Sequence, residues 1–186
     1  NATIATEDKN FYSHKGFDYL RIFSASINNI KNGRISQGAS TISQQYIKNL
    51  YLDFNKNWKR KIEEAYLTFE LETHYSKDEI LEGYLNTINY GGVYGIENAS
   101  NFYFGKSASE LNLAESSLLI GIPKNPSLYN PIYNFENSKE RQKIVLNAMV
   151  KNKVVTQEEA NKAYETELNF VKNHYENSYN TVYYYK

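Results

Sequence analysis

Two adjacent carboxylates near the start of the chain are the residues best suited to chemistry. Glu7 and Asp8 stand just ahead of two aromatic residues and His14, within one short polar segment. A carboxylate in such a segment can act as a general base, bind a metal ion, or serve as a negative charge that the helix dipole favours at a helix start. The segment by itself leaves all three roles open.

A second polar cluster is predicted on one face of a helix. Gly38 is a helix breaker, and the Thr41-x-x-Gln44 that follows it has the spacing of a capping box. On a helix that starts there, Thr41, Gln45 and Lys48 recur at i, i+4 and i+7, with Gln44 beside them. Such a stripe, together with the backbone amides of the helix start, can hold an anion. A solvated face is the alternative, but it would more usually carry Glu/Lys pairs.

A basic cluster leads into a long predicted helix. Its four cations are Lys56, Lys59, Arg60 and Lys61. Apolar residues recur on two sides of this helix, with Ile62, Tyr66 and Phe69 on one of them, so we expect it to be buried on both sides. Arg60 and Glu64 lie at i, i+4, where they form either a plain helix salt bridge or a buried pair, because a buried charge is costly unless it is paired.

The elements that must position these side chains are predicted to be helices. The pattern of residues 17–30 predicts a helix whose apolar side either faces the core or rests on a membrane surface. Further helix starts are predicted at Ser76, Ser138 and Thr156, and a buried helix at residues 111–122. Residues 89–95 read as a glycine-rich loop that permits close approach of a ligand or another backbone. Strands are scarce before Leu168, so the predicted fold class is mainly α.

Composition narrows the function classes. The 186 residues fit one domain, or one domain with a tail. Lys+Arg 21 against Asp+Glu 21 gives no net charge, which argues against a nucleic-acid binder driven by bulk charge. The absence of cysteine excludes disulfides and thiolate metal sites. The 18 Tyr and 9 Phe suit sugar-binding grooves and membrane interfaces, although a compositional bias would also explain them. No apolar run approaches the ~18 residues of a membrane span.

Five motifs of the chain resemble, in order, those of the glycosyltransferase domain of class A penicillin-binding proteins, glycosyltransferase family 51. The first two are Glu7-Asp8-x-x-Phe11-x-x-His14-x-Gly16 and Gly38-Ala39-Ser40-Thr41-Ile42-x-Gln44-Gln45-x-x-Lys48-Asn49. The other three are Arg60-Lys61-x-x-Glu64, Ile80-Leu81-Glu82-x-Tyr84-Leu85-Asn86 and Arg141-x-x-x-Val145-Leu146-x-x-Met149. They cover residues 5 to about 150.

The resemblance implies a division of the chain into domains. A lysozyme-like helical domain would occupy residues 1–167, with a smaller membrane-facing jaw at about residues 17–36. Residues 168–186 change to a Tyr-rich, β-favouring composition and would begin a linker toward a transpeptidase domain. In the family a membrane anchor precedes the first motif, and the chain opens without Met, so an anchor is expected upstream of it.

The same resemblance implies an activity, a location and partners. The family polymerises lipid II into glycan strands by inverting glycosyl transfer, with release of undecaprenyl pyrophosphate, on the outer face of the bacterial cytoplasmic membrane. Lipid II, the growing lipid-linked glycan strand and the membrane surface would be the partners of this chain, with other cell-wall synthesis proteins as further candidates.

The resemblance also assigns roles to individual residues. Glu7 would be the base, Lys48 and Arg60 would hold the departing pyrophosphate, and Glu64 would position groups on the donor side. The other substrate-binding residues would be Asp8, Ser40, Thr41, Gln44, Gln45, Asn49 and Lys56. Lys56 departs from the arginine that the family often carries, and so lacks its bidentate fork.

A cofactor and two rival functions complete the expectations. Asp8 offers a hard oxygen ligand that would suit a divalent cation, Mg²⁺ or Mn²⁺, at the pyrophosphate, although nothing in the sequence requires one. The rivals are a lysozyme-like glycan hydrolase and a non-catalytic glycan-binding module. A hydrolase releases an alcohol and has little need of the cationic cluster. A binding module would need the aromatic residues but not the paired acids.

Overall fold

The structure, a computed structural model, describes residues 1–32, 39–51 and 58–171. These ranges consist of α-helices joined by loops and short 3₁₀ turns, and no strand occurs within them, so the predicted mainly α fold is confirmed. The helices are α1 (Ala2–Glu7), α2 (Tyr19–Asn32), α3 (Ile42–Tyr51), α4 (Trp58–His74), α5 (Lys77–Thr87), α6 (Ile96–Phe104), α7 (Leu113–Gly121), α8 (Phe135–Lys151) and α9 (Gln157–Glu165).

The chain divides into two compact units. The first unit is Glu7–Thr87, and the second unit combines Asn1–Thr6 with Ile88–Lys186. Several features predicted from the sequence lie outside the described residues: the end of the jaw, Gly38, Lys56 and the β-favouring run from Thr181 to Tyr185.

The first unit is organised around α3, which packs against both α4 and α5. Ile42 and Ile47 of α3, Ile80 and Tyr84 of α5, and Phe11 from the first motif are all buried. Because α3 is the element that its neighbours share, the direction in which each of its side chains points decides what the unit brings together.

The start of α3 confirms the predicted capping box. The backbone N–H of Thr41 donates to Gln44 Oε1 (3.0 Å), and the backbone N–H of Gln44 donates to Thr41 Oγ1 (3.2 Å). The helix begins at Ile42, directly after the capping threonine. The boxes predicted at Ser76 and Thr156 are also present. Local sequence is sufficient for these helix starts because both partners of a capping box lie within four residues.

The predicted burial of α4 on two sides is wrong. Ile62, Tyr66 and Phe69 are 60–70% exposed, whereas the buried residues of this helix are Glu64 and Thr68. An apolar periodicity identifies a face of a helix but carries no information about what covers it. The residues that do pack inward are polar, and Glu64 is one of the predicted site residues described below.

α2 also presents apolar side chains to the surface. Leu20, Phe23 and Ile30 are exposed, and Ala25 is the buried residue near the middle of the helix. Of the two readings of this segment, the exposure favours the surface-lying helix. No helix in the described ranges has both the length and the apolar character needed to cross a bilayer.

We expect the chain to bind vesicles that contain anionic lipid, and Phe23→Asp to weaken that binding by roughly tenfold. An exposed phenylalanine gains apolar burial at the bilayer surface, and an aspartate would lose that gain and repel the lipid head groups. Vesicle co-sedimentation measures the effect. Tyr133→Asp is the matched control, since Tyr133 and Phe23 are both 69% exposed and Tyr133 lies in the second unit. Equal loss of binding in both variants would refute a specific role for α2.

The second unit has its own core between α7, α8 and α9. Ala114, Leu146, Ala160 and Ala163 are its centre. The predicted cap at Ser138 is wrong, because α8 already begins at Phe135 and Ser138 is buried within it. The sequence after α9 stays in contact with this unit: the Phe170 ring stacks on Phe104 at 5.2 Å, and the Val171 N–H donates to the Tyr103 carbonyl.

Candidate functional site

Glu7 and Glu64, the two carboxylates predicted to be catalytic, each lie close to one of two adjacent glutamines of α3. Gln45 Nε2 donates to Glu7 Oε2 at 3.2 Å. Gln44 Nε2 lies 3.5 Å from Glu64 Oε1, a long and therefore weak contact. Successive helical residues point about 100° apart, so one turn of α3 reaches a carboxylate on each side. The structure thus brings together residues of the first, second and third motifs.

Glu7 is the more accessible of the two carboxylates. It is the last residue of α1 and is half-buried. The Arg21 guanidinium donates to its main-chain carbonyl oxygen, while Gln45 holds its side chain. The backbone and the side chain of Glu7 are thus each held by a hydrogen bond, and the residue is only partly buried. Partial exposure of a carboxylate is one requirement of a general base.

Arg21 is itself held at the start of α2. The Arg21 backbone N–H donates to Asp18 Oδ1 at 2.9 Å, and the Asn10 side chain donates to Asp18 Oδ2 at 2.8 Å. Burial opposes ionisation of Asp18, but these hydrogen bonds and the nearby His14 and Arg21 together outweigh it, and the pKa of the Asp18 carboxyl lies below its usual value. Asp18 thus remains a charged N-cap for α2 at neutral pH.

Asp8 joins three segments of the first unit. It is buried, and both of its oxygens accept from His14 Nε2, at 3.1 and 3.0 Å. Oδ2 also accepts the backbone N–H of Ile42, the first residue of α3, at 3.0 Å, and Arg21 Nη1 lies 3.9 Å from Oδ1. A carboxylate that is enclosed and already occupied by protein donors does not fit the predicted role of cation ligand. Within the described ranges, no group of three or more acidic or histidine side chains suits a metal ion.

Gly16 anchors the first motif to both α3 and α4. Its carbonyl oxygen accepts the Thr41 hydroxyl at 2.6 Å. Its φ is +84°, and a Cβ at this position would lie 2.9 Å from Thr68 Cγ2. A side chain here would be strained in its backbone and would also collide with α4. The glycine is therefore a requirement of the site, because it lets Thr41 hold the loop while α4 approaches.

Glu64 is buried and only partly satisfied. Its Oε1 accepts Lys61 Nζ at 2.5 Å, and its Oε2 has no hydrogen-bond partner among the described residues. A buried acceptor without a partner is costly in a folded protein. A ligand that donates a hydrogen bond to this oxygen would remove that cost.

The remaining predicted residues occupy varied environments. Lys48 and Asn49 are exposed at the C-terminal end of α3, and Ser40 is exposed just before Thr41, which is itself buried. Arg60 is half-buried near the start of α4, on the helix that carries Glu64. The cations that reach solvent therefore lie on the same two helices as the glutamines and the buried carboxylate.

Four residues that make contacts in the site were not given an individual role from the sequence. They are His14, Arg21, Lys61 and Tyr84. Lys61 was detectable in principle, because it lies three residues from Glu64 on one helix face. Tyr84 was not, because its hydroxyl meets Gln45 from 39 residues away in the chain, through the packing of α5 on α3.

A cavity of the first unit lies on another side of α3. It has a volume of about 530 Å³ and is lined on α3 by Tyr46, Ile47 and Leu50, together with parts of α4 and α5. These residues point away from Gln44 and Gln45 around the axis of α3. The predicted site residues of α3, Gln44, Gln45 and Lys48, lie on the other side of the helix.

Comparison with known proteins identifies a family and several relatives of this chain. The sequence model of a family described as transglycosylase matches residues 1–150. Penicillin-binding protein 2D of Bacillus subtilis (strain 168) is 54% identical over 170 residues, which cover 91% of this chain and 25% of that protein. Penicillin-binding protein 1A of Neisseria gonorrhoeae is 44% identical over 171 residues, covering 91% of this chain and 21% of that protein.

Among solved structures, the crystal structure of penicillin-binding protein 1A from Haemophilus influenzae is similar to 70% of this chain and 16% of that one. The TM-score is 0.49 and the identity 32%. The chain spans about a quarter of the length of the curated relatives it matches, or somewhat less.

Proposed function

This chain belongs to the transglycosylase family, and we propose that it is a peptidoglycan glycosyltransferase that polymerises lipid II into glycan strands. One observation carries the proposal: a half-exposed carboxylate, Glu7, and a buried one, Glu64, are each approached by one of two neighbouring glutamines of a single helix. Such an arrangement offers one accessible carboxylate that can accept a proton and one buried carboxylate that can accept a hydrogen bond.

The proposed step is a single displacement at an anomeric carbon. The 4-hydroxyl oxygen of the acceptor sugar forms a bond to that carbon, and the bond from the carbon to the lipid pyrophosphate oxygen breaks. Configuration inverts because the nucleophile enters opposite to the leaving group. The hydroxyl proton passes to Glu7, which is accessible and oriented by Gln45. The products are a lengthened glycan and undecaprenyl pyrophosphate.

The leaving group accounts for the cations. A pyrophosphate departs with negative charge, and Lys48 and Arg60 lie on the two helices that border the carboxylates. Charge-assisted hydrogen bonds from these residues would stabilise the departing oxygens. Glu64, with one unpartnered buried oxygen, would accept a hydrogen bond from the donor sugar. The role of Lys56 stays a prediction, because this residue lies outside the described ranges.

The other predicted site residues divide into three groups in this proposal. Asp8 and Thr41 are buried and act by holding the first motif against α3. Gln44 and Gln45 orient the carboxylates, while Ser40 and Asn49 are exposed and available to substrate. No step is routed through a divalent cation, since the contacts of Asp8 do not fit one.

We place this reaction at the outer face of the bacterial cytoplasmic membrane. The lipid of the donor must remain in a bilayer while its sugar enters the site. The exposed apolar side chains of α2 would allow the first unit to rest on that surface. The proposed partners are therefore lipid II, the growing lipid-linked glycan and the membrane itself, with other cell-wall synthesis proteins as further candidates.

Incubation of the chain with lipid II in detergent or vesicles tests the proposal. Glycan polymer, separated by gel electrophoresis, is the expected product. Shortening of a preformed glycan without polymer would indicate a hydrolase, and binding without any covalent change would indicate a glycan-binding module. Either of those results would refute the proposed function.

Lys48→Ala should lower polymerisation and weaken binding of a moenomycin-type phosphoglycolipid inhibitor, each by more than roughly tenfold. Both ligands present phosphate oxygens, and a hydrogen bond to a charged group is worth ~1.5–3 kcal/mol. Turnover assays and inhibitor titration measure the two effects. Lys59→Ala is the control, because this exposed lysine pairs with Glu63 at 3.9 Å. Unchanged inhibitor affinity in Lys48→Ala would contradict the assignment.

A further inference from the structure

A chain of two hydrogen bonds leads from the core of the first unit to Glu7. Tyr84 of α5 is almost completely buried, and its hydroxyl donates to Gln45 Oε1 at 3.1 Å. The same amide donates through Nε2 to Glu7 Oε2 at 3.2 Å. The fourth motif, which supplies Tyr84, is thereby connected to the first.

The chemistry of the Gln45 amide determines the direction in which these two hydrogen bonds run. A glutamine side chain has one end that accepts and one end that donates hydrogen bonds. If the Gln45 amide were turned over, its oxygen would face the carboxylate oxygens of Glu7, and two acceptors would repel at hydrogen-bond distance. The orientation that satisfies Glu7 leaves the amide oxygen facing Tyr84, whose hydroxyl then donates. The Glu7 carboxylate, which only accepts, therefore selects this orientation, and the Tyr84 hydroxyl, which can donate or accept, stabilises it by donating to the amide oxygen.

Packing makes Tyr84 a firm support. Its neighbour Gly83 lies against the Tyr46 ring of α3, where a Cβ would come within 2.3 Å of the Tyr46 hydroxyl oxygen. Two successive residues of α5 thus contact two successive residues of α3, Gly83 on Tyr46 and Tyr84 on Gln45. A glutamine by itself has several rotamers and loses entropy when it is held in one of them. Because Tyr84 is fixed in the core, its hydrogen bond already holds the Gln45 side chain in one rotamer before substrate binds.

We propose that Tyr84 is a positioning residue that acts on the reaction through Gln45, by holding its amide with the N–H groups toward Glu7. The proposal rests on the function proposed above, in which Glu7 accepts the acceptor proton. In this role Tyr84 would touch neither substrate nor the reacting atoms. It sets the direction from which the Glu7 carboxylate is held, and hence which oxygen lone pairs face the sugar hydroxyl.

The kinetic test removes one hydroxyl group. Tyr84→Phe should lower kcat for lipid II polymerisation by roughly 3- to 10-fold, the effect of one neutral hydrogen bond, with little change in KM. Tyr90→Phe is the matched control, because Tyr90 is also a buried tyrosine but its hydroxyl has no hydrogen-bond partner among the described residues. Its activity should equal that of the wild type.

A double-mutant cycle separates positioning from other roles. In a Gln45→Ala background, Tyr84→Phe should cause no further loss, because the amide through which it acts is absent. An equal loss from Tyr84→Phe in both backgrounds would overturn the proposal. So would a change in KM alone, since that would indicate a direct contact between Tyr84 and substrate.

A spectroscopic readout keeps this proposal distinct from the function on which it rests. The side-chain amide signals of Gln45, assigned by NMR in the chain without substrate, should shift and exchange faster in Tyr84→Phe but not in Tyr90→Phe. If lipid II is not polymerised at all but the amide signals respond, the function fails while the contact stands. Unchanged Gln45 signals in Tyr84→Phe would overturn the inference, whatever the activity.

Discussion

Replacing Glu7 with glutamine should lower the rate of lipid II polymerisation by about 10²–10⁴-fold, the range typical for loss of a general base. Glutamine keeps the size and the hydrogen-bonding shape of the side chain but does not take up a proton at neutral pH. The half-exposed position of Glu7 and its contact with Gln45 are expected to survive the change, because an amide oxygen can accept in place of the carboxylate. Single-turnover polymerisation assays measure the chemical step directly.

The control for this variant is a second glutamate on the same unit. Glu63→Gln removes an exposed carboxylate on α4 that pairs with Lys59, and it should leave the rate within twofold of the wild type. Binding of lipid II by Glu7→Gln should be retained, since the proposed role is proton transfer and not affinity. Near-normal polymerisation by Glu7→Gln would remove Glu7 from the role of base and leave the proposed mechanism without a proton acceptor.

Local signals in the sequence were sufficient for much of the fold. The start of α3 at Ile42 follows from Thr41-x-x-Gln44, and those of α5 and α9 follow from the boxes at Ser76 and Thr156. α6 was not predicted, and its start explains why: Gly95, with a φ of +86°, precedes it without any side-chain cap. When the start of a helix is determined by backbone conformation and tertiary packing, no short residue pattern predicts it.

The residues of the site could be predicted from the sequence, but the contacts between them could not. Glu7, Gln45 and Glu64 were singled out by residue type and by resemblance, and the structure brings the motifs that hold them into contact. Which glutamine meets which carboxylate depends on how α3 is turned between α4 and α5. In the observed packing, Ile42 and Ile47 are the buried apolar residues of α3. The rotation of α3 can therefore be read from the packed structure but not from the sequence.

Asp8 illustrates the same difference at one residue. Its position in an acidic motif suggested contact with substrate or a cation. The fold instead encloses it and surrounds it with His14, Arg21 and the backbone N–H of Ile42. Residue type indicated a charged ligand, but the number of protein donors that reach a carboxylate can be read only from the structure. Asp8 is thus best understood as the junction between the first motif and α3.

Asp8→Ala should therefore destabilise the chain by about 3 kcal/mol. The change leaves the buried His14 ring nitrogen and the Ile42 N–H without an acceptor and removes the anion beside Arg21; a buried group left unpaired costs ~1–3 kcal/mol and a broken buried pair somewhat more. For a protein of this size the loss corresponds to a fall in Tm of roughly 6–12 °C. Thermal and urea unfolding measure it, and Asp8→Asn, which keeps one acceptor, should recover part of the loss.

The control separates a buried junction from an exposed acid. Asp78→Ala removes an exposed carboxylate that accepts the Tyr12 hydroxyl at 2.8 Å, and it should change stability by no more than ~0.5 kcal/mol.

The two roles considered for Asp8 predict opposite results. A residue that holds the first motif against α3 lowers Tm when it is removed, whether or not Mg²⁺ is present. A cation ligand would leave the Tm of the metal-free chain unchanged and would abolish any dependence of polymerisation on Mg²⁺ or Mn²⁺. Because both oxygens of Asp8 already accept hydrogen bonds from protein groups, we expect the first result.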